Sequence, residues 1–411
     1  MDAINFEQIQ SALKQVRSYV EKEEFRGYDP YDILNSSWPF GALGKWGPII
    51  AIQLQKRNPF NWRKILGVKK GYNPKGMGLL LHAYSYKYKS QPDAETRQQM
   101  DFLFDWLMNN SSQGYSGLCW GYNFDWASPA KYLKAYSPSI VVSGFVAKGI
   151  YAYYEATKDP KAADALKSIG DFVLKDLAVS EDESGTCFSY TTIATDACYN
   201  ASMLGADLMA FLFQITDEQS YADKAKRLVD FTVAKQHADG HWNYNIDLAT
   251  GAEKTQIDFH QGYVLDSIAN VMKLTGLSGA QYDNALKKGT AYYFEEQFFP
   301  TGRSKWRIPR VWPVEIHNQS QGILTLSRLA HLDPQYLAFA AKIATWTIEN
   351  MQDTGDGHFY YKKYPTHTIK VPYMRWAQAW MMLALTELTV ALDASKGEKN
   401  SQIGNKAQQD A

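Results

Sequence analysis

The sequence predicts an all-α fold, an (α/α)6 toroid in which six helical hairpins close into a ring, and three observations predict it. A unit of roughly sixty residues recurs along the chain, and recurrence at that period marks a repeat architecture. In each unit a polar, aromatic segment leads into a long apolar helix, as "GLCWGYNFDW" (117–126) leads into "SPSIVVSGFVAKGIYAYYEAT". Between these helices lie amphipathic ones, with apolar residues every three to four positions and Lys, Asp and Glu opposite. Helices apolar all round that alternate with half-exposed ones pack well when the first set lines the inside of a ring and the second its outside.

Taken in order, "FEQIQSALKQVRSYV" is the first outer helix, and "GMGLLLHAYSYKYK" (76–89) the first inner one. Residues 23–75 form a long insertion in this first hairpin, with "RGYDPYDILNSSWPFGALGKWGPII" and an extra short helix. The next outer helices are "AETRQQMDFLFDWLMNN", "DPKAADALKSIGDFVLKDL", "QSYADKAKRLVDFTVAKQ", "AQYDNALKKGTAYYFEEQF" and "DPQYLAFAAKIATWTIENM". Asp159-Pro160 and Asp333-Pro334 supply a capping carboxylate followed by a proline, the expected start of a helix. The remaining inner helices are "NASMLGADLMAFLFQIT", "HQGYVLDSIANVMKLTG", "NQSQGILTLSRLAHL" and "WAQAWMMLALTELTVAL". One toroid domain therefore spans 1–392, although 411 residues alone would suggest two or three domains. Residues 393–411 are low in apolar side chains and are expected to be a disordered tail.

Lys and Arg (43) balance Asp and Glu (43), so no strong overall field is implied, which weighs against nucleic acid and anionic membrane as partners. No segment has the 18 or so apolar residues of a membrane span, and "MDAINFEQIQ" is no secretory signal, so the expectation is a cytoplasmic protein. Cys119, Cys187 and Cys198 show no CxxC spacing and suggest no disulfide framework. No glycine-rich phosphate loop or dinucleotide fingerprint is present, so no cofactor is expected. Aromatic residues make up 14% of the chain, more than a core needs, and aromatic faces suit the C–H faces of sugars.

The starts of a toroid's inner helices open on one end of the ring, where free N–H groups and positive dipole ends collect. Aligned by those starts, Asp196-x-Cys198, Asp258-x-His260, Glu315-x-His317 and Tyr373-x-Arg375 fall at corresponding positions. Asp before a helix is ordinarily a cap, and a lone His there ordinarily a hydrogen-bonded structural residue. Two histidines in adjacent repeats, each with an acid two residues earlier, point instead to one site. His260 and His317 are the candidate acid–base pair, oriented by Asp258 and Glu315. Arg375 would hold a carboxylate or phosphate, with Asn200, Gln321 and Trp376 nearby. The loops would bring Asp125, Trp126, Trp242, Tyr244, Arg307 and Trp312 to the rim to bind substrate. Alternatively, the carboxylates at 125, 196, 258 and 315 offer pairs for glycoside hydrolysis. Asp196, Cys198 and His260 are similar to the zinc ligands of protein prenyltransferase β-subunits, which makes a zinc-dependent prenyltransferase-like protein the remotest alternative.

Together "RGYDPYDILNS", "CWGYNFDW", "IDFHQGYVLDS", "VEIHNQSQGILTLS" and "MRWAQAWMMLAL" resemble a family of bacterial toroid proteins encoded among surface-polysaccharide biosynthesis genes. Its members are often labelled δ-aminolevulinate dehydratase, a TIM barrel whose strand–helix alternation this chain lacks. The family tends to carry His-Asn near position 198, where this chain has Cys198-Tyr199-Asn200. At fold level the chain resembles N-acylglucosamine 2-epimerases, uronate C5-epimerase helical domains and six-hairpin glycosidases. The resemblance implies a ligand that is a glycan or sugar nucleotide, with polysaccharide-assembly proteins as possible partners. The expected function is epimerase- or lyase-like modification of a sugar by histidine chemistry. A non-catalytic glycan-binding or assembly protein is the alternative of a different class.

Overall fold

A computed structural model describes residues 5–129 and 132–396 in full and the backbone alone for 397–409. It is an (α/α)6 toroid. Six outer helices, α1 (Phe6–Lys22), α4 (Ala94–Asn109), α6 (Pro160–Asp176), α8 (Gln219–Ala234), α10 (Ala280–Glu296) and α12 (Gln335–Met351), surround six inner ones. The inner helices are α3 (Pro74–Ser90), α5 (Ile140–Thr157), α7 (Tyr199–Thr216), α9 (His260–Thr275), α11 (Ile316–Arg328) and α13 (Trp380–Gln409). One further helix, α2 (Trp46–Gln55), lies in the insertion, as expected. Each inner helix packs on the next, and α13 packs on α3, which closes the ring. Helix α1 rests on α12 and α13, so the seam is covered from outside by the first helix. The inner helices approach closely where side chains are absent: a Cβ on Gly149 would stand 2.3 Å from the Gly78 carbonyl oxygen, so α5 crosses α3 almost backbone to backbone. The expected disordered tail falls mostly on residues whose side chains lie outside the described set.

Capping follows the sequence. Asp159 accepts from the Lys161 N–H, and Asp93 and Ser139 cap α4 and α5 in the same way. Asp333 accepts from the Gln335 N–H, but α12 starts only at Gln335, one residue after the expected proline.

The polar segments before the inner helices all lie at one end and are stitched to one another around the rim. Backbone bridges join 28 to 373, 139 to 191 and 257 to 308. Short antiparallel ladders join Ala197–Cys198 to Asn245–Ile246, and Val314–Glu315 to Lys362–Lys363. The remaining gap is closed by side chains, with Asn73 Nδ2 donating to Asn123 Oδ1 at 2.8 Å. A second device ties each loop to the helix it precedes. Gln261 accepts from the Trp242 N–H (2.9 Å) and donates to its carbonyl (2.6 Å), and Gln378 does the same for Phe359 (2.8 Å each). Gln319 accepts from the Ser304 N–H, while Ser143 and Ser202 accept from the N–H groups of Trp120 and Phe188. Buried backbone groups must be paired, and these five side chains do it at equivalent points of five repeats.

The opposite part of the ring interior is filled by charge. Arg328 bridges Asp266 (2.5 Å) and Glu387 (2.5 Å), and Lys148 pairs with Asp207 at 2.7 Å. Ser267 and Asn270 complete the shell of Asp207.

Candidate functional site

The inner helices place their second residues on the floor of the mouth. In α3, α7 and α11 these are Lys75, Asn200 and His317. Ahead of α13, Met374–Ala379 winds as a π-helix with Arg375 second; such wide turns recur at functional sites. The clamps fix the register of α9 against α11. Gln261 and Gln319 do the same job, so Phe259 rather than His260 corresponds to His317, and His260 corresponds to Asn318. The expected equivalence of Asp258-x-His260 and Glu315-x-His317 is therefore off by one residue. The Phe259 ring accordingly stacks flat on His317, with centroids 4.0 Å apart and an interplanar angle of 11°.

The two histidines nonetheless share one neighbourhood. Tyr263, one turn further along α9, has its ring centroid 5.6 Å from that of His260 and 5.9 Å from that of His317. His260 Nδ1 lies 2.5 Å from Asp258 Oδ1, and Asp258 Oδ2 takes Gln256 Nε2 at 3.0 Å and Arg307 Nε at 3.2 Å. Burial alone would raise the Asp258 carboxyl, but His260 and Arg307 outweigh it and hold it below the usual carboxylate range. Nε2 of His260 has no partner among the described residues, and 16% of the side chain stays exposed. The Asp-x-His step is itself a local habit of this chain, since Asp239 holds His241 and Asp356 holds His358 in the same way at 2.6 and 2.5 Å. What sets 258 and 260 apart is the buried carboxylate and the arginine on its second oxygen.

His317 is fully buried. Its Nε2 lies 2.6 Å from the Tyr263 hydroxyl, and its Nδ1 is buried without a partner. Burial first, and then the charges of Lys75, His260 and Arg375, hold its imidazole well below the usual histidine range, so it is neutral. Glu315 does not orient it, contrary to expectation. That carboxylate accepts from the indoles of Trp376 (2.8 Å) and Trp306 (3.1 Å) and pairs with Lys362 at 3.1 Å.

Sequence reasoning missed Lys75, although it opens an inner helix just after the Asn73-Pro74 cap. It is 3% exposed, and its ammonium has no hydrogen-bond or ion-pair partner among the described residues. Its Nζ sits 4.0 Å from the Phe145 ring centroid, with Tyr263 and Trp380 at 5.6 and 5.4 Å. Burial, with Arg375 adding repulsion, pulls this ammonium well below its usual pKa. Asp29, in the insertion, was also missed. Arg375, expected to await an acidic ligand, is instead held through Nε and Nη2 by Asp29 at 2.6 and 2.8 Å. Its Nη1 alone is buried without a partner. Asp29 is fixed in turn by its neighbours, since Asp32 accepts from its N–H and Arg63 bonds both Asp32 (2.6 Å) and the Asp29 carbonyl (2.7 Å). The two acids of "RGYDPYDILNS" thus fasten the insertion over the mouth as a cap, and Tyr31 packs edge-on against Trp376.

Other expected site residues are dispersed. Tyr244 meets His260 edge to face at 5.0 Å and belongs to the site. Trp242 is fully buried, its indole bonded to the Thr232 carbonyl, and is core rather than rim. Gln321 lies deeper, on Asp266 at 2.9 Å. Asp125 pins its own loop through Tyr132 and the Ala135 N–H, with Trp126 half-buried beside it. Trp312 lies under Arg303. Asn200 accepts from the Cys198 thiol at 3.2 Å, and burial pushes that thiol up to about 12. Asp196 caps the Tyr190 N–H instead of facing Cys198. Among the described residues, Asp196, Cys198 and His260 do not converge as ligands; the trio that does is Asp353, Asp356 and His358. A cavity of about 560 Å³ lies away from the histidines, between the cap and Ala127, Ser128 and Tyr132, walled also by Trp38, Phe40 and Pro48. Depth of burial and chemistry, not cavity size, single out the histidine floor.

No family model matches the sequence, and no curated protein matches it. Among solved structures, a glycoside hydrolase family 76 mannosidase from Bacteroides thetaiotaomicron superposes with TM-score 0.62 at 12% identity, covering 95% of this chain and 100% of that one. A sugar epimerase from a ruminal bacterium gives 0.62 at 13%, covering 79% and 90%. Cellobiose 2-epimerase from Bacillus thermoamylovorans gives 0.61 at 14%, covering 77% and 88%. At these identities the likeness is one of fold, and it is the likeness to epimerase and glycosidase toroids that the sequence predicted.

Proposed function

We propose that this chain is a carbohydrate-active enzyme that modifies a glycan or activated sugar at the capped mouth by histidine acid–base chemistry, epimerase- or lyase-like. The observation that carries this reading is the pairing of unlike histidines about Tyr263. Asp258 engages His260 Nδ1 and leaves Nε2 to accept a proton from a sugar carbon beside a carbonyl. Across the Tyr263 ring, His317 is a neutral imidazole bonded through Nε2 to the Tyr263 hydroxyl, so it can return a proton to the opposite face only by relay, taking up the phenol's proton as it gives its own. Lys75 Nζ and Arg375 Nη1 offer donors in a water-poor neighbourhood, where a hydrogen bond to a developing enolate or carboxylate oxygen acts strongly. Tyr244 and Trp376 offer ring faces to the sugar. The fold neighbours include sugar epimerases, which supports the substrate class. A cytoplasmic role in surface-polysaccharide synthesis, beside assembly proteins, rests on the sequence resemblance alone.

Hydrolysis by a carboxylate pair is less well supported. Asp258 and Glu315 each have both oxygens engaged by donors, so neither is free to serve as acid or nucleophile.

The test is NMR of aldoses, uronic acids and sugar nucleotides incubated with the protein in deuterated water. One of them should acquire solvent deuterium at a carbon beside a carbonyl, and His260→Gln should slow this by at least about a hundredfold at unchanged thermal stability. Binding of a sugar without exchange or turnover would favour the glycan-binding alternative. Full activity of His260→Gln would remove the acid–base pair.

A further inference from the structure

We propose that the outer face of the cap is a docking surface for an anionic lipid bilayer. Exposed large apolar side chains are concentrated there. Of fifteen on the described chain, eight fall between Trp38 and Ile65: Trp38, Leu43, Trp46, Ile50, Leu54, Phe60, Trp62 and Ile65. On α2 they form a single stripe. Trp46, Ile50 and Leu54, spaced by four, are 59%, 52% and 67% exposed, while Ile49 and Ile52 on the other side are buried. A helix that keeps such a face in water has left apolar surface without a partner.

Charge names the partner. From Ile33 to Pro92 the sequence contains no Asp or Glu, although the chain as a whole is neutral. The cap contributes Lys45, Lys56, Arg57, Arg63, Lys64, Lys69 and Lys70. Arg63 is spent internally on Asp32, and Lys70 pairs with Glu23. Lys45, Arg57, Lys64 and Lys69 remain exposed with no carboxylate partner among the described residues. The chain-wide charge balance that argued against an anionic membrane therefore hides a local cationic stretch. Tryptophan, leucine and isoleucine flanked by unpaired lysines are the composition of helices that lie in a lipid interface. Protein interfaces, by contrast, are depleted in lysine. No described helix is long and apolar enough to cross a membrane, so the contact is peripheral. Lys56, just past α2, sits 5.1 Å from the Tyr31 ring that roofs the mouth, so this surface and the site share one segment.

The test is flotation of the full chain with vesicles of phosphatidylcholine alone and with about 30% phosphatidylglycerol added, at low and high salt. Wild type should bind the anionic vesicles at least about tenfold better than the neutral ones, and high salt should weaken the binding. Two surface variants, Trp46→Glu/Ile50→Glu/Leu54→Glu and Lys45→Glu/Arg57→Glu/Lys64→Glu/Lys69→Glu, should keep wild-type circular dichroism and lose most of that binding. Absence of wild-type binding, or undiminished binding by the apolar variant, overturns the proposal. So does a wild-type dimer, seen by light scattering and abolished in the apolar variant, that does not bind vesicles; the face would then join two copies of the chain. If either variant misfolds, the single changes Ile50→Ser and Lys64→Glu replace it.

Discussion

Asp29→Asn removes one negative charge and should cost more stability than any exposed ion pair in the molecule. The side chains of Arg375 and Asp29 are 1% and 5% exposed and meet through two hydrogen bonds of 2.6 and 2.8 Å. Asparagine can keep one of those bonds but not the charge, and the guanidinium cannot shed its own. Nη1 of Arg375 is already unpartnered, so the variant would bury a cation with no compensating charge. Breaking a buried pair from one side costs about 3–5 kcal/mol. For a chain of 411 residues that is a drop of about 3–6 °C in Tm. The assay is chemical unfolding of wild type, Asp29→Asn, Arg375→Met and the double variant. The double variant should recover a large part of the loss, because it removes the stranded charge along with its partner. A single variant within about 1 kcal/mol of wild type, or a double variant whose loss is the sum of the singles, would refute the argument that charge burial dominates here.

Two further outcomes follow from the structure. Gln319→Leu strands the buried Ser304 N–H and Gly302 carbonyl and should destabilise by about 2–4 kcal/mol, against well under 1 kcal/mol for Gln281→Leu on the outer helix α10; equilibrium unfolding checks both. The second concerns pH. Burial depresses the His82 pKa to about 4 and holds His317 well below its usual value, so the native state keeps both neutral where unfolded histidine is charged. The unfolded chain then binds the extra protons. Stability from both groups is complete above about pH 6.5 and falls by up to about 1.4 kcal/mol per pH unit for each as the pH drops towards 4. His82→Gln should remove one proton from that slope, as unfolding between pH 4 and 7 would reveal; an unchanged slope would contradict the burial argument.

The ring was legible because its signals are repeated and local. Six apolar helices, six amphipathic ones and the cap at Asp159 each speak for themselves in a short window. The histidine neighbourhood was legible too, since both residues sit at inner helix starts. Partnership was not. Glu315 faces two indoles and a lysine from other loops, and Asp29 meets Arg375 across 346 residues, a relation no periodicity encodes. The register slipped by one because Asp-x-His is a local hydrogen-bonding habit seen three times, whereas the true marker is the Gln and Ser clamp, whose partner lies 14 to 23 residues upstream. Trp242 looked like a rim aromatic because loop sequence says nothing about which ring faces inward.

The closing seam also sets an order of events. Helix α3 and the cap exist early in synthesis, but the face they offer to α13 stays open until the last hairpin arrives. Asp29 meets Arg375 only when the chain's two ends come together, and the burial that shifts Lys75 and His317 needs the walls that the last hairpin supplies. Contacts this distant in sequence form late, after the loop-closure entropy of the whole chain has been met. An incomplete ring therefore lacks the desolvated floor altogether, and the chemistry proposed for it arises only in molecules that have finished folding.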